Sequence, residues 1–257
     1  MSNFVKRTIT GIFLVIFLLS AILINDYIRL FAIMLFSNIA IYELSKALNK
    51  MNYKADLLLT YIFNNLFLLL RFKFNFEVLF VVLSMYIMFQ FLNLVLSENP
   101  NFNTLLANIF VSMYITLPYT FLVSLDKEWT LFAFAVTAFT DTFAYLIGML
   151  FGKHKLIERL SPKKTVEGAI GGVFGALLLS FIFIRVFNIE NRLLIYIATI
   201  FISIVSQISD LFASYIKREA NIKDYGNILI GHGGIMDRFD SILLVAPLVY
   251  LLVYNLR

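Results

Sequence analysis

The stretch "KDYGNILIGHGGIMDRFDS" (223–241) is a charged island in a chain that is otherwise mostly apolar. Behind it lies "ISIVSQISDLFASYIKREANIKD" (202–224), and after it comes "SILLVAPLVYLLVY" (241–254). Both flanks read as segments built to cross a membrane, and that reading decides the fold. The 257 residues are 61% hydrophobic and 14% charged, with mean hydropathy +0.87. A soluble globule carries roughly 25% charged residues, so the chain reads as an integral membrane protein. Its apolar runs are continuous rather than alternating, which predicts helices and not a β-barrel.

Working outward from the island, nine spans are expected: 8–24, 29–48, 57–71, 77–97, 104–124, 130–151, 168–187, 193–212 and 241–256. The expected fold class is therefore all-α, a polytopic transmembrane helix bundle. Residues 1–257 read as a single integral-membrane domain, with long cytosolic loops in the C-terminal half. The first span follows "VKR" but precedes no small-residue cleavage site, so it is read as a span rather than a signal peptide. Basic residues cluster at Lys6 and Arg7, at Lys46, Lys50 and Lys54, through "GKHKLIERLSPKKTVEG" (152–168), and over 213–240. With nine spans all four clusters face one side, the cytosol. Arg71 and Lys73 argue weakly against this orientation. The net charge of +5 is read as topology, not nucleic-acid binding. The absence of cysteine excludes disulfides and thiolate metal sites.

The chemistry sits at the cytosolic ends of the spans. Asp210 lies at the edge of an apolar run, where a carboxylate is costly without a cation or water. If its helix continues, Asp210, Ser214 and Lys217 follow at i, i+4 and i+7, on one wall. Asp237 and Asp240 stand at i, i+3, pointing the same way on a helical turn. Converging carboxylates repel unless a divalent cation lies between them, and a hard oxygen set without Cys suits Mg²⁺. Arg218, Lys223 and Arg238 add bases that can hold phosphates. The "GHGG" run, with His232, Gly233 and Gly234, offers backbone that can approach a phosphate closely.

In "SPKKTVEG" (161–168), Ser161 before Pro162 reads as a helix start. Lys163 and Lys164 would then form an anion site at a helix N-terminus. Thr165 to Glu167 read as capping or ligating. Asp141 in "AFTDTFAYLIG" (138–148) is a second intramembrane carboxylate. Gly148–Gly152 and the series Gly168, Gly172, Gly175 are spacings that let helices pack closely. Glu43 in "IAIYELSKAL" (39–48) reads as interfacial, with a support role near the site open to it.

These residues resemble a known signature. "SYIKREANIKDYGNILIGHGGIMDRFD" (214–240) is similar to that of phosphatidate cytidylyltransferases, also called CDP-diacylglycerol synthases. That signature runs S-x-hydrophobic-K-R, four residues, K-D-x-small, then G-H-G-G-x-x-D-R-x-D. Ser214, Lys217, Arg218, Lys223, Asp224, Gly226, His232, Gly233, Gly234, Asp237, Arg238 and Asp240 all match it. Ile230 departs, since the family has Pro or Gly before "GHGG". The resemblance extends upstream to Asp141, "FGKHKL" and "SPKKTVEGAIGG", so 130–245 reads as the catalytic signature region. The first half of the chain matches in hydropathy alone.

The resemblance implies the reaction CTP + phosphatidate → CDP-diacylglycerol + pyrophosphate with Mg²⁺, a step in phospholipid biosynthesis. Asp210 and Asp237 become the expected metal ligands, and a homodimer in the bilayer is expected. A monovalent cation such as K⁺ beside Mg²⁺ stays open. A compact chain of this kind reads as bacterial, placed in the cytoplasmic membrane with its site facing the cytosol. Two alternatives remain at this point: a CTP-dependent transferase acting on another membrane lipid, and an ion-coupled transporter using Asp141 and Asp210.

Overall fold

A computed structural model describes residues 3–229 and 233–256, with the backbone alone for 3–10. The helices are α1 (Asn3–Ile24), α2 (Asp26–Lys50), α3 (Leu57–Lys73), α4 (Phe76–Leu96), α5 (Phe102–Val111), α6 (Leu117–Ser124), α7 (Lys127–Phe151), α8 (Val166–Phe187), α9 (Arg192–Glu219) and α10 (Met236–Leu256). A π turn, Ser112–Thr116, joins α5 to α6, so Phe102–Ser124 is one continuous rod. Each of the nine expected spans falls on one of these helical stretches. Seven of them are long and apolar enough to cross a membrane: α2, α4, Phe102–Ser124, α7, α8, α9 and α10. The other two are shorter by this measure, with Gly11–Ile24 of α1 and the 17-residue α3. The fold is a polytopic bundle of apolar helices, without a β-strand among the described residues.

Helix ends differ from the hydropathy reading in a consistent direction. The apolar part of α9 was expected to stop at 212, yet the helix runs on to Glu219 and is 28 residues long. At about 1.5 Å per residue that exceeds a bilayer core of about 30 Å, so its polar end continues beyond the oil. Asp210, Ser214 and Lys217 therefore do share one helix face. Likewise α10 begins at Met236, five residues before the apolar run, and carries Asp237 and Asp240 in helical turns. Helix propensity and hydrogen bonding continue where hydropathy stops.

The chain forms two compact units. The first runs to Ser124 and includes Glu219–Arg238. The second comprises Leu125–Arg218 and the chain from Phe239. In the first, Phe63, Phe67, Leu79 and Tyr86 form an aromatic-rich core, with the Phe63 and Tyr86 rings stacked 3.8 Å apart. A polar seam crosses this unit. Asn64 donates to Ser37 Oγ at 2.8 Å and accepts from Thr116 at 3.1 Å, and Ser112 donates to Tyr86 Oη at 3.0 Å. Ser112 and Thr116 bracket the π turn, so its extra residue serves to aim two hydroxyls at neighbouring helices. Arg71, the apparent topology exception, donates to Ser124 at 2.7 Å and lies over the Phe76 ring. Its charge has a structural use at that end of the bundle.

In the second unit α7 and α8 pack through glycine, as the spacing predicts. A Cβ at Gly168 would stand 2.6 Å from the Ala144 carbonyl and 3.1 Å from Gly148 Cα. One at Gly172 would stand 2.9 Å from the Thr140 carbonyl. The backbones approach too closely for any side chain there. Hydroxyls then bond across helices: Thr140 donates to Ser203 at 3.1 Å, and Gln207 reaches the Ala169 carbonyl at 3.1 Å.

Candidate active site

In the second unit, a polar loop between α7 and α8 is folded back on itself. Leu156 N donates to Lys164 O at 3.0 Å, and Val166 N to His154 O at 2.9 Å. Glu167, in the first turn of α8, ties the loop down. It accepts from Lys153 N at 3.0 Å and His154 N at 3.2 Å, and pairs with His154 Nδ1 at 2.6 Å. The expected helix start at Ser161–Pro162 is not where α8 begins. Residues 161–164 form a turn closed by Lys164 N to Ser161 O at 3.2 Å. The N-cap is Thr165, whose hydroxyl accepts from Gly168 N at 3.1 Å. Both Ser and Thr suit an N-cap, and the bridge between Lys155 and Thr165 selects the later one. Lys163 and Lys164 consequently precede the helix instead of forming its first turn.

That placement sends Lys164 to Asp210. The two form an ion pair in which each side chain is about three-quarters covered. Asp141 accepts from Ser241 Oγ at 3.2 Å, and Ser241 N donates to Asp240 Oδ1 at 2.8 Å. Asp240 is buried, within reach of the charges of Asp210, Lys217 and Asp141. One end of this unit thus gathers three carboxylates with Lys164 and Lys217. Arg218, the next residue on α9, reaches toward the Leu160 carbonyl at 3.5 Å. Ser214 lies half-buried one turn beyond Asp210, while Lys163 is exposed.

In the first unit the signature loop closes on a different carboxylate. Leu229 N donates to Gly233 O at 2.9 Å, and Gly233 has φ of +84°, a conformation that favours glycine. Asp237 Oδ2 accepts from Tyr225 N at 2.8 Å and Gly234 N at 3.0 Å. The expectation that this glycine backbone is open to a phosphate is corrected for Gly234, whose N–H already serves Asp237. Ile230 and His232 lie outside the described residues. Lys223 and Arg238 are exposed.

Reading the sequence placed Glu43 at an interface; here it is 1% exposed. Its carboxylate accepts from Ile235 N at 3.2 Å and Met236 N at 2.8 Å, at the start of α10. One face of α2 continues past it to Lys46 and Lys50, which line a cavity of about 170 Å³ with Ile222, Asp224 and Asn227.

Among the described residues no group of three or more His, Asp or Glu side chains is arranged to hold a metal ion. Each acid is instead engaged by a protein donor: Asp210 by an ammonium, Asp237 by two amides, Asp141 and Asp240 through Ser241. The donor chemistry nonetheless fits a hard divalent cation, being all carboxylate oxygen, and at Asp210 a positive charge already occupies the carboxylate.

The model of the cytidylyltransferase family matches residues 5–256. A phosphatidate cytidylyltransferase of Rickettsia felis is 37% identical over 191 residues, 71% of this chain and 83% of that protein. One from Staphylococcus saprophyticus is 45% identical over 149 residues, 56% of each chain. One from Staphylococcus aureus is 41% identical over 145 residues, 54% of this chain and 55% of that one. The chain spans about half the length of these staphylococcal relatives in the matched stretch. The family match reaches well beyond 130–245 and takes in the half read on hydropathy alone. The chain belongs to the cytidylyltransferase family.

Proposed function

We propose that this protein is a phosphatidate cytidylyltransferase, transferring the cytidylyl group of CTP to phosphatidate to give CDP-diacylglycerol and pyrophosphate. The observation that carries the reading is the gathering of Asp141, Asp210, Asp240, Lys164 and Lys217 at one end of an apolar helix unit. Acids for a cation and bases for phosphates meet there, at the ends of helices long enough to hold a lipid's tails beside them. Family membership and the names of the relatives support the choice of substrates.

The phosphatidate phosphate is already an anion, so no strong general base is needed. Its oxygen attacks the α-phosphorus of CTP in line, one P–O bond forms, and the bond to the pyrophosphate oxygen breaks. Lys164, Lys217, Arg218, Lys223 and Arg238 neutralise the crowded negative charge, with Lys163 and Ser161 at the loop's rim. Asp210 in the second unit and Asp237 in the first are each assigned as carboxylates that would hold Mg²⁺, with Asp141 and Asp240 in the unit of Asp210. When bound, Mg²⁺ supplies charge neutralisation at the phosphates. Ser214, Thr165, His232 and Gly233 are assigned to substrate contact or to shaping the loops that make it, and Gly234, whose N–H serves Asp237, to shaping alone. Most of the acceleration is positioning and electrostatics. The protein is proposed to act as a homodimer in the bacterial cytoplasmic membrane, its site facing the cytosol; a monovalent cation such as K⁺ belongs to the same proposal.

The test uses purified protein in detergent with phosphatidate, radiolabelled CTP and Mg²⁺. Label entering a lipid-extractable product, and lost with EDTA, is the expected result. No transfer to phosphatidate by folded protein overturns the assignment and directs the assay to polyprenol or ether-lipid acceptors.

A further inference from the structure

The N-terminus of a helix is a ready anion site, because its first amides have no partner within the helix. At α10 that position is filled from within the chain. The acid is Glu43, 192 residues before the first amide it meets. Its two oxygens accept separately, Oε1 from Ile235 N and Oε2 from Met236 N. The preceding amide, Gly234 N, turns the other way and donates to Asp237 Oδ2, as does Tyr225 N. Three successive N–H groups are thus divided between two carboxylates. The glycines beside them explain the fit. A Cβ at Gly226 or at Gly234 would land on the Glu43 carboxyl group. The Glu43 side chain fills the space that any larger residue would need.

These contacts interlock. Glu43 fixes the peptide planes at 234–236, those planes fix the amide that orients Asp237, and the two carboxylates are near enough for their charges to act on each other. The acid beside Asp237 is buried and takes up the two amides at the start of α10, so those amides are not left for an anion.

We propose that Glu43 is a positioning residue for Asp237: from the first half of the chain it locks the peptides at 234–236 and sets the Asp237 carboxylate to receive a divalent cation. The proposal rests on the metal-dependent reading above. It also assigns a function to the α2 segment, which sequence motifs leave unassigned.

The experiment titrates Mn²⁺ into the full-length protein in detergent, read by electron paramagnetic resonance without substrate, beside the Mg²⁺ dependence of CTP transfer. Glu43→Gln keeps the shape but removes the charge and one acceptor. Gly226→Ala leaves Glu43 in place but drives a Cβ onto its carboxyl. Both should weaken Mn²⁺ binding and raise the half-saturating Mg²⁺ concentration by about tenfold or more, as loss of an outer partner does to a metal ligand. Asn64→Leu, which breaks the polar seam of the same unit at hydrogen bonds to Ser37, Asn38 and Thr116 rather than to Glu43 or the 234–236 peptides, should lower thermal stability and leave Mn²⁺ affinity within about twofold of wild type. Wild-type Mn²⁺ affinity in both Glu43→Gln and Gly226→Ala overturns the proposal. So does an equal loss in Asn64→Leu, which would make the effect one of general stability. If the wild-type protein transfers nothing from CTP, the proposed activity fails, while the Mn²⁺ titration still decides the role of Glu43.

Discussion

Asp237 and Asp210 carry the same side chain and the same proposed task, but the two units hold them differently. Asp237 is held by backbone: two amides fix one of its oxygens, and Glu43 fixes the neighbouring peptides. Asp210 is held by a side chain, the Lys164 ammonium, at the end of a flexible four-carbon stem. A backbone amide is placed once the chain folds. In the proposed mechanism the lysine would swing to a phosphate and leave its carboxylate to the proposed metal, so the contrast is between a preset and an exchangeable proposed ligand.

Asp237→Asn probes the preset side most severely. Asn retains a carbonyl oxygen that can accept from Tyr225 and Gly234, so the loop should still form while the charge is lost. Transfer should fall by about a thousandfold, with the protein still inserted and monodisperse in detergent by size-exclusion chromatography. Turnover near that of wild type would remove Asp237 from the proposed metal site. Lys164→Met probes the exchangeable side. It deletes the cation that competes for Asp210, so the half-saturating Mg²⁺ concentration should decrease while maximal turnover falls about a hundredfold. Glu43→Gln moves the Mg²⁺ requirement the opposite way. If both variants shift it in the same direction, the distinction between the two carboxylates is lost.

Gly168→Ala carries the contrast to packing. The new Cβ meets the Ala144 carbonyl, and overpacking of this kind costs about 1–3 kcal/mol. Thermal unfolding in detergent should show that loss, with Mn²⁺ affinity retained, whereas Gly226→Ala should do the reverse. Thr165→Ala should have the smallest effect, about 1 kcal/mol from the lost α8 cap, again read by thermal unfolding.

Much of this was legible in the residues. Continuous apolar runs located every helix, because the bilayer demands about 20 apolar residues in sequence. The i, i+4, i+7 spacing placed Asp210, Ser214 and Lys217 on one face, and small-residue spacing identified the α7–α8 contact. Helix ends were less legible, since hydropathy reports oil and not hydrogen bonding; α9 and α10 both extend into polar sequence. At 161–165 two residues suited to capping compete, and the choice of Thr165 depends on a bridge between loop strands that no local pattern encodes. Glu43 was the least legible. Its partners are amides near the far end of the chain, and an amide has no letter in a sequence. A trace existed all the same: a lone acid in an apolar helix needs a partner, and the glycines at 226 and 234 left room for one.

The most direct test of the account follows two labels in parallel, CTP carrying ³²P at the α or at the γ position, with phosphatidate and Mg²⁺. The account predicts that α-label enters the lipid fraction while γ-label leaves as pyrophosphate in equal amount. γ-Label in the lipid, or neither label leaving CTP, would contradict nucleotidyl transfer as the reaction of this protein.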